Sequence, residues 1–239
     1  VFGISPFLKK NLTDVKKDEF FTSGTEYVEK LFDDIHHKIN PRFKPETILD
    51  YGCGPGRMII PFARIARHVV GVDISPEVLS EADKNCKSRN ISNVSFLLAD
   101  DGLKCLKGKQ FDLVHSFIVL QHLNTKRGEK VTASLIDAIK PNGIGILHYT
   151  YHDSIALRHK VNFFRFRIPF LAYILKRVRF IFEGKQIIDQ PQMQMNDYNL
   201  NNIFTMLQKT GVTEIYSTFT NHHDYWGIVL YFKKEMNIK

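Results

Sequence analysis

The chain has 239 residues, of which 44% are hydrophobic and 24% charged. This composition is typical of a folded globular domain and excludes a mostly disordered chain. Three cysteines without a Cys-x-x-Cys spacing argue against a disulfide scaffold or a zinc module. No apolar run reaches the roughly 18 residues of a membrane span. We therefore expect a soluble, cytoplasmic protein.

The formal net charge of +8 is concentrated in one segment. Residues 158–185 contain eight basic residues and one acid, whereas the rest of the chain has 25 basic and 24 acidic residues. A nearly neutral protein with one basic segment favours a local anionic partner over binding of nucleic acid across the whole surface.

The first 45 residues show a weak helical pattern, clearest at Tyr27, Leu31 and Ile35. We predict that residues 1–45 form an N-terminal helical cap. The aromatic stretch at residues 20–27 contains Gly24, which predicts a flexible hinge that could fold over a ligand.

From residue 46 onward, short apolar runs alternate with amphipathic stretches. This alternation predicts βαβ units with a parallel sheet between two layers of helices. The predicted strands are 47–51, 68–73, 94–99, 111–117, 144–149, 212–219 and 226–232, and the predicted helices are 58–66, 76–89, 126–140 and 197–210. Residues 46–239 are thus expected to be one α/β domain, with 151–195 as an insertion after the fifth strand.

A glycine-rich loop follows the first predicted strand. Gly52, Gly54 and Gly56 allow a tight turn and a close approach of the backbone to a ligand. The third glycine comes one residue earlier than in the Gly-x-Gly-x-x-Gly pattern of dinucleotide binders, and Asp50 precedes the first. Asp73 ends the next strand, where a carboxylate can accept hydrogen bonds from both ribose hydroxyls of an adenosine ligand.

These features resemble the class I S-adenosylmethionine-dependent methyltransferases. Residues 50–56, Asp-Tyr-Gly-Cys-Gly-Pro-Gly, match the first motif of that family, and residues 71–75 match the second. Further similarity is found at 99–102, at 111–114 with 119–123, and at the Pro-Asn-Gly turn of 141–143. The resemblance covers residues 47–150 and leaves out the cap and the insertion.

The resemblance implies a Rossmann-like, doubly wound sheet of seven strands, mostly parallel with the last strand antiparallel. It implies S-adenosyl-L-methionine as cofactor, S-adenosyl-L-homocysteine as product, and no metal. Either of the acids at positions 100 and 101 could contact adenine, and Cys53 is expected to be a small loop residue and not a reactive thiol. The cofactor-binding residues implied in this way are Tyr27, Asp50, Gly52, Cys53, Gly54, Gly56, Arg57, Asp73, Ile74, Asp100, Asp101, Gly102, Ser116, Phe117 and Gln121.

Methyl transfer to oxygen also requires a base, and histidine suits neutral pH. His122, after the fourth strand, and His152, beyond the fifth, are the candidates for a catalytic base. His122 could instead pack beneath the cofactor. Strand alternation places Tyr149 and Tyr151 on one face and His148 on the other, with Tyr151 expected at the acceptor. Residues 222–224 are predicted to form a surface turn.

The insertion combines arginines with aromatic residues, and it allows several interpretations. We favour a lid in which Arg165 and Arg167 bind a phosphate or carboxylate of the acceptor. A peripheral membrane contact through 161–182, an RNA-binding face and a dimerisation or cap helix pair remain alternatives.

The sequence therefore predicts a methyltransferase that modifies, preferably at oxygen, a small or medium anionic acceptor. A phosphorylated or nucleotide-linked sugar, a lipid or a surface-glycan precursor would fit. The alternatives are an RNA methyltransferase, although nucleic acid is the less favoured partner, and a non-catalytic adenosylmethionine-binding partner subunit. The oligomeric state is not predicted.

Overall fold

A computed structural model describes residues 14–100, 102–153, 195–222 and 225–235. The predictions for Asp101, for Arg165 and Arg167, and for the possible membrane contact at 161–182 lie outside the described residues.

The centre of the molecule is one seven-stranded sheet with the order β3-β2-β1-β4-β5-β7-β6. β1 to β5 pair in parallel, and β7 is antiparallel to both of its neighbours. The predicted fold class is confirmed. The strands are β1 Thr47–Tyr51, β2 His68–Asp73, β3 Val94–Leu98, β4 Phe111–Ser116, β5 Ile139–Asp153, β6 Ile215–His222 and β7 Tyr225–Lys233.

In the part of the chain that the structure describes, five α-helices cover the two faces of the sheet. One hydrophobic core lies between the sheet and α4 and α5, and the other lies beneath α1, α2 and α3. Among the described helices, none combines the length and the apolar character required to cross a membrane. The helices are α1 Asp14–Lys38, α2 Ile59–Ile65, α3 Pro76–Lys87, α4 Thr125–Asp137 and α5 Leu200–Lys209.

The sheet reverses its direction of growth beside β1. The chain runs from β1 outward to β2 and β3, and then returns to place β4 on the other side of β1. Ligands of open α/β sheets bind at such a reversal, outside the carboxyl ends of the strands. The glycine loop that follows β1 lies at this position.

The region around the fifth strand differs from the prediction. The predicted helix 126–140 ends at Asp137, because the N–H of Phe111 donates to the carbonyl of Ala138 and draws the following residues into the sheet. β5 continues to Asp153, and His152 pairs with Trp226. The prediction that His152 lies beyond the strand was therefore wrong.

The sixth strand is shifted by three residues relative to the predicted 212–219. Val212 is buried, and its N–H donates to the carbonyl of Leu207, so that it closes the end of α5 before the strand begins at Ile215. As a result, His222 belongs to β6 and pairs with Tyr225. Its assignment to a turn was wrong.

The predicted hinge in the N-terminal cap is also wrong, because α1 is continuous through residues 20–27. Gly24 serves another purpose. A Cβ at this position would overlap the backbone carbonyl of Arg57, so the glycine lets the helix pack closely on the loop that follows β1.

Candidate cofactor and acceptor site

The glycine loop has a backbone that only glycine adopts readily. Gly52, Gly54 and Gly56 have φ angles of 75°, 55° and 94°. A Cβ on Gly52 would overlap the side chain of Val119, which follows β4, whereas a Cβ on Gly54 would have no atom within 4 Å. The first glycine is therefore required by packing within the protein, and the second borders open space.

Asp73 holds this loop from the end of β2. Its Oδ2 accepts a hydrogen bond from the N–H of Gly54 at 3.0 Å, and its Oδ1 accepts one from the N–H of Ser75 at 3.1 Å. Ile74, the residue between Asp73 and Ser75, is 38% exposed. The carboxylate is thus at the rim of the loop, where the resemblance places the ribose contact.

Cys53 points away from this rim. Its side chain is buried, with Sγ 2.9 Å from the position that a Cβ would take on Gly71 of β2. Burial, followed by the charges of Asp50 and Asp73, raises the pKa of the thiol well above its usual value. The side chain is therefore a packing group, and only its backbone can serve the loop.

Asp50 is part of a buried hydrogen-bonded chain that sequence reasoning missed. Its Oδ1 lies 2.8 Å from Nδ1 of His115, and Nε2 of His115 lies 3.1 Å from the hydroxyl of Tyr27. Asp50 and His115 are 2% and 0% exposed. Within the described part of the chain, the other oxygen of Asp50, Oδ2, is buried without a hydrogen-bond partner. The parallel register of β1 and β4, which places these two residues side by side, was the missing signal.

Helix α1 closes one side of the loop. Arg57 donates from Nη1 to Oγ of Ser23 at 3.4 Å, and its guanidinium lies 5.7 Å from the ring centre of Phe20. Desolvation lowers the pKa of Arg57. The ring of Tyr27 packs 4.6 Å from that of Phe117, centre to centre. The structure therefore brings Tyr27, Arg57 and Phe117 to the same side of the loop.

The acid after β3 forms its own turn. Oδ1 of Asp100 accepts hydrogen bonds from the N–H groups of Gly102 at 3.1 Å and Lys104 at 2.8 Å. Both Asp100 and Gly102 are exposed. An adenine contact by this turn stays a prediction.

The polar groups after β4 stabilise the local structure. Ser116 donates to the carbonyl of Tyr51 at 3.0 Å, and the side-chain oxygen of Gln121 accepts from the hydroxyl of Thr150 at 2.8 Å. The hydroxyl of Tyr198 donates to the carbonyl of Leu120 at 2.8 Å. These bonds hold the backbone at the carboxyl end of β4. Ser116 and Gln121, the two residues among them that were predicted to bind the cofactor, have buried side chains.

The two candidate bases lie in different surroundings. His122 is half-buried in the turn after β4, with Nε2 3.4 Å from Nε2 of Gln121. His152 is exposed, and its ring centre is 5.2 Å from that of Trp226. Tyr151 faces Phe219 at 6.3 Å, near the outer strands of the sheet.

His148 is a further buried histidine beside the site. Its Nε2 lies 2.8 Å from the hydroxyl of Thr220, and its ring packs 5.0 Å from Phe117. Burial, followed by the neighbouring histidines, lowers its pKa to about 3, so the ring is neutral at physiological pH. Tyr149 packs on the opposite face and shares a hydrogen bond with Thr132 of α4, as strand alternation predicted.

Comparison with known proteins agrees with this geometry. Residues 48–143 match the family model described as a methyltransferase domain. A solved magnesium protoporphyrin IX methyltransferase of Synechocystis with bound S-adenosylhomocysteine has a TM-score of 0.62 at 18% identity, covering 96% of this chain and 91% of that one. Residues 48–143 thus form a methyltransferase domain. The predicted resemblance is confirmed.

Other proteins that are similar to this methyltransferase domain have names that indicate different acceptors. Phosphoethanolamine N-methyltransferase 1 of Triticum aestivum is 30% identical over 134 residues, which are 55% of this chain and 27% of the relative. A 23S rRNA uracil-C5-methyltransferase of Hahella chejuensis is 43% identical over 65 residues, 27% of this chain and 15% of that protein. The chain thus spans about a quarter or less of the length of these curated relatives.

A second solved structure shows the same fold. The N-methyltransferase NodS of Bradyrhizobium japonicum, in complex with S-adenosyl-L-homocysteine, has a TM-score of 0.56 at 14% identity and covers 96% of this chain and 91% of its own. At such identities the methyltransferase domain shares the fold with these enzymes, and its acceptor must be inferred from its own residues.

Proposed function

We propose that the methyltransferase domain binds S-adenosylmethionine outside the carboxyl ends of β1 and β2 and transfers its methyl group to an acceptor. The observation that carries the proposal is the loop after β1, held by the bond from Gly54 to Asp73 and open at Gly54. Solved proteins of the same fold contain this cofactor or its product.

Three features of the site fit an adenosyl sulfonium ligand. The carboxylate of Asp73 lies where it can accept hydrogen bonds from ribose hydroxyls. The backbone at Gly54 leaves room for close approach, because no atom occupies the position of a Cβ. Oδ2 of Asp50 is buried and has no hydrogen-bond partner among the described residues, and the α-ammonium group of the methionine moiety would supply the missing donor.

The bound sulfonium would supply an activated methyl group, so the protein has to position the acceptor and exclude water. Positioning reacting groups in line accounts for a large share of catalysis in such a transfer. Tyr27 and Phe117 form an aromatic wall beside the loop, and His122 lies at the end of β4. We favour His122 over His152 as the base, because His152 is exposed against Trp226.

The proposed acceptor is a small or medium anionic molecule methylated at oxygen. Its support is the charge of residues 158–185, which include Arg165 and Arg167. The phosphoethanolamine methyltransferase among the relatives acts, by name, on a molecule with a phosphate group. Tyr151, half-buried beside Phe219, is kept as an acceptor contact.

Calorimetry with S-adenosylmethionine and S-adenosylhomocysteine tests the first part of this proposal. We expect saturable binding of both and none of a nicotinamide dinucleotide. Preference for the dinucleotide would contradict the proposal. For the acceptor, methyl transfer from labelled cofactor to phosphorylated sugars and headgroups should be measured, and the double variant Arg165→Ala/Arg167→Ala should raise acceptor KM without changing cofactor Kd.

RNA methylation is the second candidate, favoured by the rRNA methyltransferase among the relatives. It predicts RNA binding whose affinity falls steeply with salt, because each neutralised phosphate releases counterions. A filter-binding series between 50 and 200 mM salt, roughly the range over which that loss is large, distinguishes the two candidates. Tight cofactor binding without turnover on either class of acceptor would favour the non-catalytic partner subunit.

A further inference from the structure

Three side chains connect the N-terminal helix to the strand that precedes the glycine loop. Tyr27 lies on α1, His115 on β4 and Asp50 on β1, and their polar atoms are separated by 3.1 and 2.8 Å. The ring of Tyr27 also packs 5.7 Å from that of His115. The chain of hydrogen bonds is therefore a direct polar link between α1 and the end of β1.

The direction of the two hydrogen bonds follows from the groups present. Burial, followed by nearby charges, raises the pKa of Tyr27 well above its usual value, so its hydroxyl keeps its proton. The hydroxyl can donate to Nε2 of His115, which leaves the ring proton on Nδ1 to donate to Asp50. Tyr27 in this way selects the tautomer of His115 that binds the carboxylate.

His115 restricts the orientation of Asp50. With Oδ1 bound to a fully buried ring, the carboxylate cannot rotate without breaking a hydrogen bond in the protein interior. Oδ2 is then held as a buried acceptor without a partner among the described residues. A buried acceptor without a partner raises the free energy of the ligand-free protein, and this cost is removed when a donor binds.

We propose that His115 and Tyr27 are positioning residues for the cofactor: they hold Asp50 so that its second oxygen receives the α-ammonium group. This inference rests on the proposed function and extends it to groups outside the glycine loop. It also couples cofactor affinity to the docking of α1, because the same helix contacts Arg57 through Ser23 and Gly24.

Two ligands separate this role from a general structural one. S-adenosylhomocysteine contains the α-ammonium group, whereas 5′-methylthioadenosine has the same nucleoside and sulfur without the amino acid portion. For Tyr27→Phe we expect the Kd for S-adenosylhomocysteine to rise roughly three- to tenfold, the size of one lost hydrogen bond. The Kd for 5′-methylthioadenosine should stay unchanged.

His115 is tested with two variants and a matched control. His115→Leu removes both hydrogen bonds, and we expect a larger loss of S-adenosylhomocysteine affinity than for Tyr27→Phe. His115→Asn keeps a donor of similar reach to Nδ1 and should recover part of the loss. Tyr149→Phe is the control, because it also removes a tyrosine hydroxyl with one side-chain partner, but on the opposite face of the sheet. Its affinity for both ligands should equal that of the wild type.

The possible results are distinguishable. Equal losses for the two ligands in Tyr27→Phe would show a structural effect on the whole site and overturn the inference. Unchanged affinity for S-adenosylhomocysteine would overturn it as well, with the proposed function left intact. If the wild-type protein bound neither ligand, the proposed function itself would fail, and the inference with it. Should His115→Leu not fold, Tyr27→Phe with its control decides the question alone.

Discussion

The backbone N–H of Gly54 donates a hydrogen bond of 3.0 Å to the carboxylate of Asp73. The acid that ends β2 thus shapes the loop that follows β1, in addition to any contact with a ligand. The second oxygen of the same carboxylate accepts the N–H of Ser75, at the start of α3. One side chain therefore connects the two loops that border the proposed adenosine site.

Replacing Asp73 should weaken cofactor binding through both effects. For Asp73→Ala we expect a loss of about 1.5–3 kcal/mol in the binding free energy of S-adenosylhomocysteine, the range for hydrogen bonds to a charged group. Isothermal titration calorimetry measures this directly. Asp83→Ala, on the exposed side of α3 where Asp83 pairs with Lys87, is the control and should bind normally. An unchanged Kd for Asp73→Ala would exclude the ribose contact.

Gly52 and Val119 form a packing pair across β1 and β4. A methyl group on Gly52 would overlap Val119, and the φ of 75° adds strain for any residue with a Cβ. We expect Gly52→Ala to lower the free energy of unfolding by about 2 kcal/mol or more. Chemical denaturation should show that adding Val119→Ala reduces the effect of the glycine change. Additive losses in the double variant would contradict the proposed overlap.

An alanine at Gly54 should affect cofactor binding more than stability, in contrast to an alanine at Gly52. Its φ of 55° costs an alanine about 1 kcal/mol of stability, but no atom obstructs the new methyl group. The methyl group would occupy space that we assign to the cofactor. Gly54→Ala is therefore expected to remain folded and to lose cofactor affinity at least tenfold. A folded Gly54→Ala protein with wild-type affinity would place the ligand elsewhere.

His148 should make the free energy of unfolding depend on pH in the acidic range. Its pKa is lowered from 6.5 to about 3 in the folded protein, so the unfolded chain binds a proton at pH values where the folded protein does not. Stability from this group is complete above about pH 6.5 and decreases as the pH falls toward 3, by about 1.4 kcal/mol per unit.

The measurement compares the wild type with His148→Gln by urea denaturation between about pH 7 and pH 4. Titrating groups that do not interact with His148 cancel in the difference between the two proteins. We expect the wild type to lose stability relative to the variant as the pH falls through this range. Parallel curves would show that His148 becomes protonated without cost in the folded protein.

The sequence predicted those elements whose signal is local. β1 and β2 have the predicted bounds, and β3, β4 and the ends of α2 and α3 agree within one or two residues. Ser75 caps α3, with Oγ accepting the N–H of Val78. In these segments the apolar pattern, the glycines and the caps lie within a few residues of the structure that they specify.

Other features depended on contacts between distant parts of the chain. The end of α4 and the length of β5 follow from pairing with β4 and β7, and β6 starts late because Val212 is buried beside α5. The supposed hinge at Gly24 is a close helix–loop contact. None of these partners is adjacent in sequence.

By itself, the sequence determined the class of the domain and the succession of strands and helices along the chain, because spaced glycines, an acid at a strand end and alternating apolar runs each act over a short stretch of backbone. Only the tertiary structure showed that His115 contacts Asp50 and that Val119 packs against Gly52. Asp50 and His115 are 65 residues apart in the chain and meet because β1 and β4 are neighbours in the sheet. Which side chains meet across two strands depends on which strands are neighbours and on their register, and β1 and β4 are far apart in the sequence.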